Sequence, residues 1–446
     1  MKERIMRFRD FDTEWTVLTA TSEDPYKRAR WTRDEDLVLK RVRKWRARHS
    51  WYDGRAEMFA LSRAYMEHDP DKDSAWECVD LLGAGAFGMV GKWCKFDTKR
   101  RITDTVAIKQ FNYEGWECDS DGRPGVPAEV ALPEALDRQG CNSIAEIRTA
   151  RFFDVKRPKW RIYLQYYGHG TLGDLVQRYR EKSAEEGRSV HIPEDFIWQA
   201  FNDFATAYHH MHFFRLKSLG AKGRGADVAN GHFVLHLDLK DTNGKPQTMW
   251  CNFLLGDAPS DEKFMPYPRL KIADWALGEC TSRYDPKNSR KFRNNGTICW
   301  MPPEQYDCNR FGQNWERNVM GGTNRAYSAK HALWQMAANI YGMMELDLDN
   351  KKLEEKLREA ERDEYHTRKN GYSLVPGYRH RRYSSELCQL VEDCLSIRPE
   401  DRPEPECLKS RVRKGLEPCL KRYARTGTYQ KLEATKAEWG TVKLSE

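Results

Sequence analysis

No apolar run in this chain approaches the length needed to span a bilayer, so nothing in it reads as a transmembrane segment. The opening residues, Met1-Lys-Glu-Arg-Ile-Met-Arg-Phe-Arg-Asp10, hold no apolar signal core, which argues against export. None of the 12 cysteines stands in a Cys-x-x-Cys pair, which speaks against a structural zinc site. Without an export signal they read as reduced thiols, mostly buried or incidental. Charge of neither sign dominates: 75 Lys and Arg against 67 Asp and Glu leave +8 at pH 7, too little at this length to imply nucleic acid by itself. Internal repeats are also missing. What remains is 446 residues with 39% hydrophobic and 32% charged content, a globular composition long enough for two or three domains. An intracellular protein is expected.

Four short motifs occupy the middle of the chain. The first is Gly83-Ala-Gly85-Ala-Phe-Gly88-Met-Val90, and the second Val106-Ala-Ile-Lys109. His236-Leu-Asp238-Leu-Lys240 is the third. The fourth is Asp274-Trp-Ala276, followed by Met301-Pro-Pro-Glu304. A lone G-x-G-x-x-G is weak evidence, because any glycine-rich turn can produce it. The same motif shortly before V-A-I-K, with the others downstream in order, is specific. From about Trp76 to Arg413 the chain resembles the eukaryotic protein kinase superfamily, and its long insertion after Asn252-Phe-Leu-Leu is similar to those of divergent fungal serine/threonine kinases. The resemblance implies an α+β, bilobal protein-kinase fold: a small antiparallel β-sheet lobe with one main helix, and a larger, mainly helical lobe. Short apolar runs at Cys78, Met89 and Val106 suit that sheet, and Phe196 onward reads as an amphipathic helix.

The implied chemistry is transfer of the γ-phosphoryl group of ATP, with Mg2+, to a Ser or Thr hydroxyl of a protein substrate. Gly83, Gly85 and Gly88 would let backbone close over the phosphates. Val90 and Ala107 would sandwich the adenine over Leu254. The backbone of Gln165 to Tyr167 would take its hydrogen bonds, with Leu164 as gatekeeper. Lys109 would hold the α and β phosphates and needs a carboxylate to orient it: Glu129 is favoured, with Glu134 as the alternative. Asp238 is the expected catalytic base, and Lys240 would screen the transferred phosphate. Lysine at that place, together with Gly296-Thr297 downstream, resembles serine/threonine kinases more than tyrosine kinases. Asp274 would bind magnesium. The second metal ligand is either Asn243, which has the usual spacing, or Asn252, which has the usual neighbours. Asn252 is preferred, making 241–251 an insertion. Arg402 is expected to pair with Glu304.

Several positions depart from the family. Leu237 replaces an arginine that usually binds an activating phosphate, so activation through that pocket becomes doubtful, although Thr281, Ser282, Tyr284 and Ser289 are available hydroxyls. Trp275 and Ala276 replace phenylalanine and glycine. Ala332 stands where an aspartate usually hydrogen-bonds the catalytic loop, leaving those groups to water or another partner. No group expected to touch ATP, magnesium or the substrate hydroxyl is lost, but a pseudokinase acting as a nucleotide-binding scaffold is the alternative.

The expected organisation is a basic, mainly helical N-terminal extension (1–75), a small lobe with hinge (76–168), a large lobe with three surface insertions (169–412) and a C-terminal tail (413–446). In the extension, Leu37, Val38, Val42 and Trp45 recur at helical spacing on a strongly basic helix. Trp31-Thr-Arg-Asp-Glu-Asp is similar to the start of a Myb-like helix, although the tryptophan spacing that follows departs from that family. The preferred reading is a helix packed on the kinase with its charge in water; a nucleic-acid tether is the alternative.

Overall fold

The structure is a computed structural model in which residues 17–21, 35–48, 53–67, 69–85, 88–112, 126–153, 156, 158–215, 231–240, 252–258, 265–285, 288, 292–293, 295–305, 326–347, 350–362 and 371–432 are described. Asn243, Ser289, the Trp31 stretch and most of the three expected insertions lie outside them. The chain forms two compact units. The described part of the first comprises residues up to Glu134 and then Ala145–Tyr166; the second takes Ala135–Ile144 and most of the chain from Tyr167 on.

The first unit is built on one sheet of β1 (Val17–Thr21), β2 (Trp76–Gly85), β3 (Gly88–Phe96), β4 (Ile102–Asn112), β5 (Ile147–Phe153) and β6 (Lys159–Gln165), in the order β1-β5-β6-β4-β3-β2. Five of these strands pair antiparallel. The sixth, β1, joins the edge in parallel with Val17 opposite Ala150, a strand that the sequence did not announce in its basic N-terminal stretch. Side chains alternate between faces along each strand. On β6, Trp160 and Ile162 meet Ala150, Phe152 and Val130 of α4 (Ala128–Arg138). Tyr163 points the other way, into a second core with Trp93, Val106 and Ile108.

That second core is completed by the N-terminal stretch. Helix α1 (Glu35–Arg48) contributes Val42 and Trp45, the described part of its apolar stripe, and α2 (Gly54–Ala60) contributes Ala56 and Phe59. The Phe59 ring meets Trp93 edge-on at 4.8 Å. Polar contacts fix the seam. Asp73, the last residue of α3 (Pro70–Asp73), accepts the N–H groups of Tyr65, Met66 and Glu67. Arg161, fully buried on β6, donates to Gln110 Oε1 (2.8 Å), the Arg63 carbonyl (2.5 Å) and Ser62 Oγ (2.7 Å). Residues 35–75 therefore share a core with the strands, and the exposed Lys40, Arg43, Lys44 and Arg46 carry the basic face of α1.

The second unit is mainly helical. Helix α5 (Leu172–Glu186) opens on a capping box between Thr171 and Asp174 and stops at Gly187 in the left-handed conformation. Helix α6 (Glu194–His212) buries Phe196, Ile197, Phe201 and Phe204 and packs on α7 (Lys330–Glu345). Beyond these come α8 (Lys351–Arg362), α9 (Ser385–Cys394) and α10 (Pro405–Thr426). Helix α10 lies along α6 and runs unbroken past residue 413, where a lobe-to-tail boundary was expected. Two short ribbons complete the unit: β7 (His232–Leu235) pairs with β10 (Glu279–Ser282), and β8 (Phe253–Gly256) with β9 (Arg269–Ile272), both antiparallel. A sheet flanked by α1, α2, α3 and most of α4 in one unit and a mainly helical second unit form the α+β architecture expected of a bilobal kinase fold, with helices of the N-terminal stretch added to the one main helix expected beside the sheet.

Among the described residues no helix is long and apolar enough to cross a membrane.

Candidate active site

The candidate residues fall into two groups, one in each unit. In the first, β2 and β3 meet at their glycine-bearing ends, Gly83 opposite Val90 and Gly85 opposite Gly88. Gly88 has φ +117°, and a Cβ there would stand 2.2 Å from the Gln110 carbonyl oxygen, so a side chain is excluded by conformation and by space. Val90 lies opposite Lys109, and Ala107 opposite Leu164. Lys109 Nζ pairs with the Glu129 carboxylate on the first turn of α4, the two side chains being 3% and 9% exposed. Of the two carboxylates left open by the sequence, Glu129 is thus the one found on Lys109. At the end of β6 the Gln165 side chain is turned toward Arg148, whose guanidinium also grips Asp104 with two bonds of 2.9 and 2.8 Å. Tyr167 falls in the second unit and is half-buried.

The second group forms around the loop 236–240. Asp238, Lys240 and Thr297 close a triangle: Lys240 Nζ stands 2.8 Å from Asp238 Oδ2 and donates to Thr297 Oγ1 at 2.6 Å, while Thr297 Oγ1 donates to Asp238 Oδ1 at 2.7 Å. Thr297 can come this close because Gly296, at φ +129°, packs on the loop backbone; a Cβ there would lie 2.4 Å from the Leu237 carbonyl oxygen. Asn252 N–H donates to the Lys240 carbonyl at 3.1 Å. Its side-chain Nδ2 donates to the Asp238 carbonyl. Asn252 Oδ1 is buried and finds no hydrogen-bond partner among the described residues, an orphaned acceptor of the oxygen type that magnesium takes.

Asp274 follows β9 with φ +58°, an uncommon backbone conformation for a residue with a side chain. The approach to it is set by His236, whose Nε2 lies 3.0 Å from the Ala273 carbonyl. A carbonyl only accepts, so the ring carries its proton on Nε2. Burial pushes the His236 pKa down, keeping the ring neutral. Trp275 covers that ring at 4.6 Å, filling the socket beside it. Leu254 on β8 is half-buried and bridges to Thr171. Glu304 and Arg402 form a two-pronged pair at 2.7 Å each, with both side chains out of contact with water.

The motifs did not reveal every residue that reaches this loop. The sequence marked Gly296-Thr297 as a feature resembling serine/threonine kinases, but not Thr297 as a partner of Asp238. It gave no sign of Gln335 and Asn339 on α7, whose side-chain amides donate to the carbonyls of Leu237 and Leu239. Polar residues at helical spacing within an otherwise apolar stretch were the available signal.

A lysine tied to a helix carboxylate beside the antiparallel strands of one unit, and in the other an aspartate loop held by Thr297 and by amides of α7, are the features of a divergent member of the protein kinase superfamily. No known family model matches the chain. It is similar to the G2-specific protein kinase nim-1 of Neurospora crassa, 21% identical over 348 residues that make up 75% of this chain and 32% of that protein. It is likewise similar to the G2-specific protein kinase nimA of Emericella nidulans, 20% identical over 352 residues, 75% of this chain and 40% of that protein. The chain thus spans about a third to two fifths of the length of the curated relatives it matches.

Proposed function

We propose that the protein is a serine/threonine kinase that transfers the γ-phosphoryl group of ATP to a hydroxyl of a protein substrate, working inside the cell. The observation that carries this reading is the Asp238–Lys240–Thr297 triangle. Asp238 accepts the proton of the attacking Ser or Thr hydroxyl. Thr297 holds Oδ1 and Lys240 stands on Oδ2, so the carboxylate is fixed in orientation, and Lys240 also neutralises charge gathering on the phosphoryl oxygens. Lys109, oriented by Glu129, holds the α and β phosphates. Within the first unit, the side-chain-free backbone at Gly83, Gly85 and Gly88 would close over them, Val90, Ala107 and Leu164 would contact the base, and backbone from Gln165 on would take its hydrogen bonds; in the second unit, Leu254 and Tyr167 are the residues that the resemblance assigns to the base. Asn252 and Asp274 would hold Mg2+, which would supply neutralising charge to the ATP phosphates.

A second reading, a nucleotide-binding scaffold, is favoured by one observation. Leu237, buried with φ +67°, fills with apolar atoms a place where the family resemblance leads one to expect an arginine. The deciding experiment is transfer from radiolabelled ATP with magnesium onto a general Ser/Thr substrate, for wild type beside Asp238→Asn and Asp274→Asn. Activity in wild type and its loss in both variants is expected. Nucleotide binding by wild type without transfer would establish the scaffold.

A further inference from the structure

Helix α7 is apolar and buried along nearly its whole length, yet besides Lys330 at its first position it carries polar side chains at positions i, i+4 and i+8: His331, Gln335 and Asn339, each at most 2% exposed. That spacing sets them one above another on a single face. Each reaches backbone, directly or through one more side chain. His331 Nε2 lies 2.9 Å from Gln305 Oε1, and Gln305 Nε2 donates to the carbonyls of Phe292 (3.3 Å) and Asn295. Because Gln305 turns its nitrogen to two carbonyls, its oxygen faces His331, and the ring must donate from Nε2. Gln335 Nε2 donates to Trp300 O at 3.1 Å and to Leu237 O at 3.3 Å. Asn339 Nδ2 donates to Leu239 O at 3.4 Å and back to Gln335 O at 2.7 Å.

The carbonyls so gripped belong to two segments. Leu237 and Leu239 flank Asp238. Phe292, Asn295 and Trp300 bracket Thr297, which bonds Asp238. Gln335 alone bridges both segments. Ala332, on the same helix, is wholly buried and offers no polar group to the loop. Buried amide donors are placed at a cost in desolvation, recovered only where acceptors meet them, so their convergence on these two segments calls for a role beyond filling space.

We infer that the His331–Gln335–Asn339 stripe is the positioning device of the active loop: it fixes the height of Asp238 over α7 and its register against Thr297. These are positioning residues, touching neither substrate nor nucleotide. The inference rests on the kinase reading for its catalytic consequence, but its structural content stands apart from it.

The test compares Gln335→Met, which keeps the length and removes the donor, with Asn339→Leu, in the 446-residue chain. Two readouts are taken: kcat and KM for ATP in the transfer assay, and hydrogen–deuterium exchange of residues 231–240 and 295–305. Gln335→Met should lower kcat about tenfold or more with KM for ATP unchanged, since small misplacements of a reacting group act on turnover. Exchange should rise in both segments while α7 stays protected. Asn339→Leu should raise exchange in 231–240 only. If the stripe merely fills the core, exchange rises throughout the unit or not at all, and kcat per folded molecule is unchanged; either pattern overturns the inference. A wild type that transfers no phosphate would defeat the kinase reading, while the exchange pattern would still decide whether the stripe holds the two segments.

Discussion

Lys109 and Glu129, in the first unit, are held by opposite full charges buried against each other, whereas the loop carrying Asp238, in the second, is held through neutral amides and carbonyls. A charged pair tolerates little loss: removing one partner leaves a buried charge uncompensated. A neutral ladder spreads its contribution over several bonds, each worth about 1 kcal/mol net, so it sets geometry more than it supplies stability. The second unit also contains the opposite case, the Glu304–Arg402 pair, whose guanidinium further donates to carbonyls of Ser396, Ile397 and Lys330. Within the second unit, then, a buried charged pair and a neutral hydrogen-bonded ladder stand side by side as two ways of holding a segment.

The sharpest way to break this comparison is through Lys109. Lys109→Met should cut phosphate transfer by about 10²-fold or more, and Glu129→Gln should cut it less, because the lysine remains but loses its orienting charge. Equal activity in all three proteins, measured as initial rates, would remove Lys109 from the site.

Next in size is the Glu304–Arg402 pair. Arg402→Met or Glu304→Gln alone should destabilise the second unit by about 3–5 kcal/mol in denaturant unfolding, and the double replacement by less than the sum. Additive losses would show that the pair is not coupled.

Arg161 offers a smaller effect in the first unit, where a buried cation meets neutral acceptors. Arg161→Met leaves Ser62, the Arg63 carbonyl and Gln110 without this donor, and should cost about 1–3 kcal/mol. A loss that also releases residues 35–75 to proteolysis would sharpen the view that this stretch and the sheet form one core.

Near neutral pH the smallest effect is the one on pH dependence. Burial, with Arg402 and His236 adding to it, pushes the His331 pKa down from 6.5 to about 3. Below 6.5 the unfolded chain takes up a proton that the folded ring refuses, so the contribution present above 6.5 is lost as pH falls toward 3. His331→Gln should flatten stability against pH in that window by at most about 1.4 kcal/mol per pH unit. An unchanged slope in thermal melts would mean that His331 takes no part in it.

Much of the architecture was legible because motif residues are constrained by the backbone around them. Gly88 and Gly296 occupy positions where a Cβ has no room, and V-A-I-K announces a strand with its lysine on one face. The preference for Asn252 followed from the strand that begins after it, β8. Other features left no local trace. The strand β1 depends on an edge offered by β5, far along the chain. The stripe Val42–Trp45 showed that α1 has an apolar face but not that Trp93 and Phe59 would meet it. Gln335 and Asn339 are ordinary residues by type, and their meaning comes from which carbonyls lie opposite.

The most direct test of the account is phosphate transfer by wild type and Asp238→Asn, run at matched nucleotide occupancy determined by direct binding. The account predicts transfer by wild type and a loss of about 10²–10⁴-fold in the variant with ATP affinity retained. Equal rates in the two proteins, or ATP bound by wild type with no phosphate transferred, would contradict it.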